Sequence, residues 1–422
     1  MRILIKDGRI IDPGRPDETA DILTEDGKII EIRPDIPVTS ASRLIAASGK
    51  IVSPGLIDMH VHFREPGEEY KETIESGCRA AAHGGFTAVC TMPNTQPVND
   101  NRQVTEYILK TASRCNGSRV YPVAAISPGL KGEGLCEYAE LKEAGAIALS
   151  DDGNPVRNSL LMRRALEYAG GVGLPMISHS EETDLSAGAM NEGETATRLG
   201  IPGIPNAAES IAVMREIALC ELTGVPVHIA HVSTAQSVHA IRDAKKRGIP
   251  VTAETAPHYF TLTDKAVEEY NTHAKMNPPL RSEADRNAVR EGLADGTIDV
   301  IATDHAPHSV LEKEVEFDRA ANGIIGLETS LALSLALVRE KVLSLSQMIE
   351  KMSVNPARIL GLETGLKIGG SADISIIDTE HNWTVKAEEF QSRSRNTPFE
   401  GWEMKGKAFL TMVEGIIVCS IL

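Results

Sequence analysis

The chain has 422 residues, of which 42% are hydrophobic and only 4% are aromatic, so it is long enough for one large domain and a smaller companion. This length excludes a small fold that depends on disulfide bonds. The formal net charge is -16 at pH 7, and the acidic residues are spread along the chain, which argues against nonspecific binding to nucleic acid or anionic membranes. A small anionic ligand would therefore need a local cationic side chain.

The six cysteines are far apart and include no CxxC pair, so the sequence predicts neither a disulfide framework nor a thiolate zinc site. The first segment, MRILIKDGRIIDPG, alternates apolar and charged residues and lacks the hydrophobic core of a signal peptide. No stretch approaches the roughly 20 apolar residues that span a bilayer. We expect a cytoplasmic protein that binds neither membrane nor nucleic acid.

Both ends of the chain have the pattern of short strands joined by tight turns. Asp7-Gly8 and Asp26-Gly27 each lie between apolar runs and predict hairpin turns. A similar pattern returns from about residue 366. We predict a small composite β-sandwich domain built from residues 1–52 and 366–422, which encloses a catalytic domain of residues 53–365.

The middle of the chain alternates short apolar runs with longer stretches of helical period, as βα units on a parallel sheet do. The predicted strands are 56–62, 87–92, 120–126, 146–152, 174–180, 225–231, 249–255 and 298–304. The predicted helices include 73–83, 101–113, 137–144, 159–170, 209–222, 234–247 and 283–294. Because eight strands close a (β/α)8 barrel, we predict an α/β fold with a TIM-like barrel. In a doubly wound open sheet, by contrast, ligands would cluster at one switch point.

Five of the apolar runs end in a residue that can bind a metal. The candidates are His60, His62, Asp152, His179, His231 and Asp304. Residues two apart on a strand face the same way, so His60 and His62 can reach one ion. Asp151 and Asp152 also suit turn and helix-cap positions, and we expect one of the two to have only that role.

These imidazole and carboxylate ligands suit zinc, with manganese or cobalt as substitutes. Six ligands exceed the four of one tetrahedral zinc, so we predict two zinc ions that share a bridging carboxylate and a bridging hydroxide. Asp304 follows the last strand and is the predicted general base, because a carboxylate beside a metal-bound water can take its proton. Arg64, close after the first histidines, could bind an anionic group beside the metals.

Longer motifs extend this pattern over nearly the whole chain. They are DMHVHFREPG, GGFTAVCTMPNTQPV (84–98), LSDDGNP, MNPPLR (276–281) and ATDHAPH (302–308). With them the chain resembles the dihydroorotases of the bacterial type I class, within the amidohydrolase superfamily. The resemblance implies a (β/α)8 barrel with a composite β-sandwich and a zinc centre. It also implies reversible cyclisation of N-carbamoyl-L-aspartate to L-dihydroorotate in pyrimidine synthesis.

The resemblance further implies a role for each matching residue. The metal ligands would be His60, His62 and Asp304 at the first site, His179 and His231 at the second, and Asp152 as the bridge. The substrate contacts would be Arg64, Asn94 and His308 for the carboxylate, and Asn277 with the backbone around Asn322 and Gly323 for the ring amide.

The bridge departs from much of the superfamily. Many relatives, including hydantoinases and allantoinases, bridge their metals with a carboxylated lysine after the fourth strand, but residues 146–155 contain no lysine. An aspartate bridge occurs among type I dihydroorotases and so favours that class. A shorter bridge also leaves open partial occupancy of the second metal site.

Two other functions remain open from the sequence. An allantoinase or hydantoinase would share the metal ligands, but Arg64 and the segment around Asn94 favour a ring that carries a carboxylate. A weakly active homologue could serve as a scaffold for aspartate carbamoyltransferase, which some dihydroorotases bind, although a pure scaffold would not need six metal ligands. We expect a homodimer, because closed two-fold assemblies are the commonest. Residues 309–326 are either a solvated surface loop or a lid over the substrate.

Overall fold

The computed structural model describes residues 2–40 and 42–421 and contains two large sheets with helices around one of them. The strands are β1 (Arg2–Ile10), β2 (Glu18–Glu25), β3 (Lys28–Arg33), β4 (Arg43–Ala46), β5 (Ile51–Pro54), β6 (Leu56–Val61), β7 (Phe86–Thr91), β8 (Arg119–Ala124), β9 (Ala148–Leu149), β10 (Met176–Ser178), β11 (Met190–Asn191), β12 (Gly203–Ile204), β13 (Val227–Ile229), β14 (Val251–Thr255), β15 (Val300–Ile301), β16 (Ile374–Thr384), β17 (Glu403–Val413) and β18 (Ile416–Ser420).

The α-helices are mostly placed between barrel strands, as βα units require. They are α1 (Ile74–His83), α2 (Arg102–Ala112), α3 (Tyr138–Ala144), α4 (Ser159–Val172), α5 (Glu194–Leu199), α6 (Ala207–Thr223), α7 (Ala235–Lys246), α8 (Pro257–Thr261), α9 (Glu283–Asp295), α10 (Val310–Lys313), α11 (Ser330–Arg339), α12 (Leu345–Ile349) and α13 (Asn355–Leu360). In the described part of the chain, no helix combines the length and the apolar character needed to cross a membrane.

The eight parallel strands form a nearly closed barrel, which confirms the predicted fold class. Neighbours follow the order β6, β7, β8, β9, β10, β13, β14, β15. The two end strands meet through a parallel bridge between Val61 and His305, and the His62 N–H donates to the His305 carbonyl at 2.8 Å. The carboxyl ends of the strands therefore surround one opening, where barrel enzymes place their active sites.

Several barrel strands are shorter than predicted. β9 and β15 have two residues each, and β10 and β13 have three. Asp152, His179, His231 and Asp304 consequently lie just beyond the paired residues. His231 and Asp304 have φ of 35° and 47°, far from the extended conformation of a strand, and the parallel pairing ends before each of them.

The second sheet takes strands from both ends of the chain. Its order is β18, β17, β16, β5, β1, β2, β3, with β4 also paired to β1. Antiparallel pairing of β16 with β5 joins the two ends, with Ile374 opposite Pro54. The exact domain boundaries stay a prediction.

The two predicted hairpin turns have different outcomes. Asp26-Gly27 connects β2 to β3, and both residues have positive φ, as a tight hairpin turn needs. The prediction for Asp7-Gly8 is wrong, because β1 continues through these residues and pairs with β2 on both sides of a bulge. The Asp7 N–H donates to Asp21 Oδ1 at 2.9 Å, so this N–H is bonded although the ladder is interrupted.

Candidate metal centre and substrate pocket

The six predicted metal ligands converge at the opening of the barrel, and all of them are buried. His60 lies in β6, and the other five lie one to three residues beyond the ends of barrel strands: His62, Asp152, His179, His231 and Asp304. Because parallel strands present their carboxyl ends at one edge, ligands 244 positions apart in the sequence become neighbours. His60 Nε2 lies 3.6 Å from Asp304 Oδ1.

Asp152 is at the centre of this cluster and contacts all four histidines. Its Oδ1 lies 3.4 Å from His60 Nε2, 3.4 Å from His179 Nδ1 and 3.6 Å from His231 Nε2. Its Oδ2 lies 3.5 Å from His62 Nε2. Asp151 has the structural role expected for one of the pair, because its carboxylate accepts from the Ile126 N–H at 2.7 Å and from Ser127.

Two groups of three residues have ligand atoms close enough together to hold an ion. The first is His60, His62 and Asp304, and the second is His60, Asp152 and His231. The first group matches the ligand set implied by the resemblance. The second group contains His60 where His179 was expected, but His179 Nδ1 lies only 2.8 Å from His231 Nε2.

The cluster also contains buried polar atoms that a cation would satisfy. His60 Nε2, Asp152 Oδ1 and His179 Nε2 have no hydrogen-bond partner among the described residues. Leaving such an atom unpaired costs about 1–3 kcal/mol. Imidazole nitrogens and carboxylate oxygens are good zinc ligands, so these atoms fit a metal site.

The cluster has a strongly negative environment that would favour a cation. Burial by itself lowers the pKa of His60, but Asp152, Asp304 and Glu254 outweigh burial and raise that pKa well above its usual value. Burial likewise opposes ionisation of Asp152, yet the facing histidines, His60 first, hold its pKa well below the usual range. A metal ion would interact with the same carboxylates.

Glu254 contacts the cluster from behind and is a candidate functional residue that the sequence analysis missed. Its Oε1 accepts from His60 Nδ1 at 2.7 Å, and its Oε2 lies 3.2 Å from His228 Nε2. His228 Nδ1 in turn lies 2.8 Å from Thr252 Oγ1. Since Nδ1 of His60 is occupied, its Nε2 is turned toward the cluster with a free lone pair, the usual arrangement behind a metal-bound histidine. The run VTAET gave only a weak signal, a carboxylate inside a buried strand.

Three residues at the site have backbone conformations that non-glycine residues rarely adopt. Arg64, His231 and Asp304 have φ of 62°, 35° and 47°. Such conformations cost free energy and persist where the surrounding structure imposes them, often at functional sites. Here they mark the points where the chain turns sharply out of a strand and directs a side chain into the opening.

A cavity of about 220 Å³ lies directly over the cluster. Five of the six predicted substrate contacts line it: Arg64, Asn94, Asn277, His308 and Asn322. Gly323 is not part of its wall, because its N–H donates to the Lys275 carbonyl at 3.0 Å and points away from a ligand. Asn277 Oδ1 is buried without a hydrogen-bond partner among the described residues, so it could accept from a ligand N–H.

Arg64 brings a positive charge to this cavity. Its Nε donates to the Pro307 carbonyl at 3.1 Å, which fixes the guanidinium, and its Nη2 lies 3.3 Å from His308 Nε2. Burial lowers the pKa of Arg64, although guanidinium groups stay charged in proteins. Burial and the Arg64 charge also lower the pKa of His308 to about 3, so His308 is a neutral imidazole.

Asn94 lines the cavity and also contacts two of the predicted metal ligands. Its Oδ1 accepts from His62 Nδ1 at 2.9 Å, and its Nδ2 lies 3.5 Å from Asp152 Oδ2. It therefore orients His62 as Glu254 orients His60. A substitution at Asn94 would disturb both the predicted substrate contact and a metal ligand.

Comparison with known proteins shows the family of this chain. The family model described as "Dihydro-orotase-like" matches residues 49–237. A dihydroorotase of Desulforapulum autotrophicum is 61% identical over 421 residues, and one of Syntrophus aciditrophicus is 57% identical over 422 residues, each over 99% of both chains. The chain belongs to the dihydroorotase family. This family is metal-dependent, and the two ligand groups could hold the ion.

Solved structures of the same fold include other enzymes named for cyclic substrates. An L-hydantoinase from Arthrobacter aurescens has a TM-score of 0.89 and 28% identity, covering 99% of this chain and 96% of that one. A dihydropyrimidinase from Brevibacillus agri NCHU1002 has a TM-score of 0.86, with 22% identity over 100% and 95% of the two chains, and shows the shared fold alone. This member of the dihydroorotase family thus has the barrel and the additional β-rich part of those structures.

Proposed function

We propose that this chain is a zinc-dependent dihydroorotase, which reversibly cyclises N-carbamoyl-L-aspartate to L-dihydroorotate in pyrimidine synthesis. The single observation that carries the proposal is the position of Asp152, which contacts four histidines at the base of a cavity that also contains Arg64. Metal ligands suit hydrolysis of an amide, and the guanidinium suits a substrate that bears a carboxylate. The family membership points to the same reaction.

The proposed centre would take two zinc ions, with Asp152 as a ligand available to both. The ligands would be His60, His62 and Asp304 for the first ion and His179 and His231 for the second. When bound, zinc would polarise the amide carbonyl and make water a nucleophile near neutral pH. This chain has no lysine at the bridge position that could be carboxylated. The second ion would depend on the shorter Asp152 side chain, and we expect it to bind more weakly than the first.

The substrate would be oriented by the residues of the cavity wall. Arg64 binds the carboxylate through its guanidinium, with Asn94 and His308 beside it. His308, as a neutral imidazole, can accept a hydrogen bond at Nδ1, which has no partner among the described residues. Asn277 and the backbone around Asn322 are proposed to contact the ring amide, whereas Gly323 would support this stretch, because its N–H and its carbonyl are both hydrogen-bonded within the protein.

Asp304 is the proposed general base and acid. In hydrolysis it takes a proton from the attacking water and returns the proton to the ring nitrogen as the C–N bond breaks, and the cyclising direction reverses these transfers. Burial raises the pKa of Asp304, but the facing His60 and His62 more than compensate, so the carboxylate is ionised and able to accept.

The test is a direct assay of the purified protein with dihydroorotate, allantoin and hydantoin, together with measured zinc content. We expect turnover of dihydroorotate alone, loss of that turnover when a chelator removes zinc, and recovery when zinc is restored. Preference for allantoin or hydantoin would overturn the substrate assignment. Activity that is unaffected by complete removal of metal would overturn the proposed centre.

Partners other than the small-molecule substrate are also part of the proposal. A homodimer, a complex with aspartate carbamoyltransferase and a cytoplasmic location are predictions from the sequence and its resemblance. Sedimentation of the purified chain alone and with that enzyme would test the two assemblies. If activity appeared only in the mixture, the chain would act as a partner-dependent enzyme.

A further inference from the structure

Lys313 has its amine inside the protein, directly behind the cavity wall. The residue is 1% exposed. Its amine donates to three backbone carbonyls, those of Lys275 (3.3 Å), Ala321 (2.8 Å) and Gly323 (3.1 Å). None of these three partners is a carboxylate, so the amine acts here through hydrogen bonds to the main chain.

The three carbonyls belong to two chain segments, 275–277 and 321–323, that form one side of the cavity. The side chains that these segments contribute to the wall are Met276, Asn277 and Asn322. The Gly323 N–H donates to the Lys275 carbonyl at 3.0 Å and joins the segments directly. The Lys313 amine therefore fastens both segments together from the side that faces away from the ligand.

Asn396 fastens the second segment from another direction. Its Nδ2 donates to the carbonyls of Ala306 (2.9 Å) and Gly323 (3.0 Å), and its Oδ1 accepts from the His308 N–H at 3.0 Å. Asn396 is buried and is not part of the cavity wall. Two buried polar side chains thus connect the stretches that contain Asn277, Asn322 and His308.

The buried amine costs free energy that an apolar side chain at the same place would avoid. Burial, together with the nearby positive charge of Lys275, lowers the pKa of Lys313 to about 7. A lysine retained in such a place needs compensating bonds, and its three carbonyl contacts provide them. We therefore expect the role of Lys313 to lie in joining segments 275–277 and 321–323.

We propose that Lys313 is a positioning residue for the substrate cavity, which fixes the wall that contains Asn277 and Asn322 by holding segments 275–277 and 321–323 in register. This inference rests on the proposed function, because the wall is the side assigned to the ring amide. It also assigns a role to residues 309–326. The amino-terminal part of α10 is exposed, with Leu311 85% accessible, while the same short helix ends in this buried anchor.

The experiment compares Lys313→Met with the wild type in dihydroorotate kinetics, zinc content and hydrogen exchange. A displaced wall should raise KM between roughly 10- and 100-fold, since small misplacements of contact groups have effects of that size. We expect kcat to change less than about threefold, because the metal ligands come from other strands. Peptides that cover 321–323 should exchange faster, and zinc content should stay unchanged.

Lys351→Met is the matched control. Lys351 is also buried, but its amine donates to the Ile298 carbonyl at 2.6 Å, just before β15 and away from the cavity wall. Both variants leave buried backbone carbonyls without the donor that the amine supplied, so both should lower the melting temperature. Only Lys313→Met should raise KM and the exchange rate of 321–323.

The outcomes separate this inference from the proposed function. A wild type without activity on dihydroorotate would overturn the proposed function, and the exchange comparison would still test the anchor. An active wild type with unchanged KM and exchange in Lys313→Met would overturn the positioning role. If Lys313→Met does not fold, Asn396→Ala tests the same wall and should raise KM with unchanged zinc content, while an unchanged KM would overturn the inference.

Discussion

Asp304 is the residue on which the proposed chemistry depends most directly. Its carboxylate lies 3.2 Å from His62 Nε2, and its φ of 47° directs it into the opening. Glu254 acts one residue further back, through its 2.7 Å contact with His60 Nδ1. We therefore expect neutralisation of Asp304 to reduce turnover and neutralisation of Glu254 to weaken metal binding.

Asp304→Asn should reduce kcat by about 10²- to 10⁴-fold, the usual contribution of a general acid–base residue. Asparagine tolerates positive φ, so the backbone should be preserved and zinc content should stay largely intact. Measured kcat and zinc content check this expectation. Asp299→Asn is the control, because Asp299 precedes the same strand and accepts from the Ala253 N–H at 2.9 Å. Near-native turnover of Asp304→Asn with metal bound would exclude Asp304 as the base.

Glu254→Gln should weaken zinc binding by roughly 10- to 100-fold, the usual loss when the partner of a metal-bound histidine is changed. The amide keeps the shape of the side chain but removes the charge that supports His60. Competition with a chelator measures the affinity directly. Glu216→Gln is the control, since Glu216 is equally buried but pairs with Arg215. Equal zinc affinity in the wild type and Glu254→Gln would contradict the supporting role.

At the scale of elements, the loops after neighbouring barrel strands support one another. The loop after β6 contains Arg64 and Gly67, and the loop after β7 contains Asn94 and Gln96. The Gln96 N–H donates to the Pro66 carbonyl at 2.9 Å. Gly67 has φ of 106°, and a Cβ there would lie 2.0 Å from the Gln96 carbonyl oxygen, so a side chain cannot be placed between the loops.

Gly67→Ala should therefore lower the melting temperature and raise KM, because separating the loops displaces Arg64 and Asn94. Gly14→Ala is the matched control: Gly14 has φ of 94° but no atom within 4 Å of its Cβ position. Both variants incur the left-handed backbone cost of about 1–2 kcal/mol, whereas only Gly67→Ala adds a clash with backbone. Thermal unfolding and kinetics measure the difference. Equal melting temperatures for Gly67→Ala and Gly14→Ala, with unchanged KM in Gly67→Ala, would refute the close approach of the two loops at Gly67.

At the scale of the whole molecule, the barrel and the terminal sheet are joined by buried polar contacts. Ser375 Oγ donates to the Gly85 carbonyl at 2.5 Å, and Thr411 Oγ1 donates to the Ala82 carbonyl at 2.7 Å. Glu328, which follows the barrel, accepts from the N–H groups of Gln391 (2.9 Å) and Ser392 (3.2 Å). Burial raises the pKa of Glu328 to about 7, and Glu72 contributes to this increase.

This raised pKa predicts a pH-dependent stability. The folded protein holds the Glu328 proton more tightly than the unfolded chain, whose ordinary value is 4.5, so the contribution to the free energy of unfolding is largest at low pH and is lost as pH rises to about 7. Glu328→Gln stays neutral. Its melting temperature relative to the wild type should therefore be higher at pH 8 than at pH 5.5, by on the order of a few °C. A difference that does not vary with pH would contradict the raised pKa.

Much of the fold and the identity of the site candidates could be predicted from local patterns. Hydrophobic periodicity predicts the barrel strands and helices, and the short apolar runs that end at His60, His179, His231 and Asp304 indicate these residues as candidates. Periodicity is a property of neighbouring residues, so it survives in the sequence without coordinates. The hydrophobic pattern did not predict where pairing would stop, because the turn out of each strand depends on backbone conformations imposed by the site.

Contacts between residues far apart in the sequence could be identified only from the tertiary structure. Glu254 lies 194 positions from His60, and the Lys313 amine bonds a carbonyl 38 positions away. The Asp7-Gly8 pair is compatible locally with a hairpin turn or with a bulge. Only the pairing of β1 with β2 shows that these residues form a bulge. The sequence alone determined the types of ligand and the barrel that presents them. Tertiary packing decided which buried polar groups orient those ligands, because a side chain acquires such a partner only when the chain has folded.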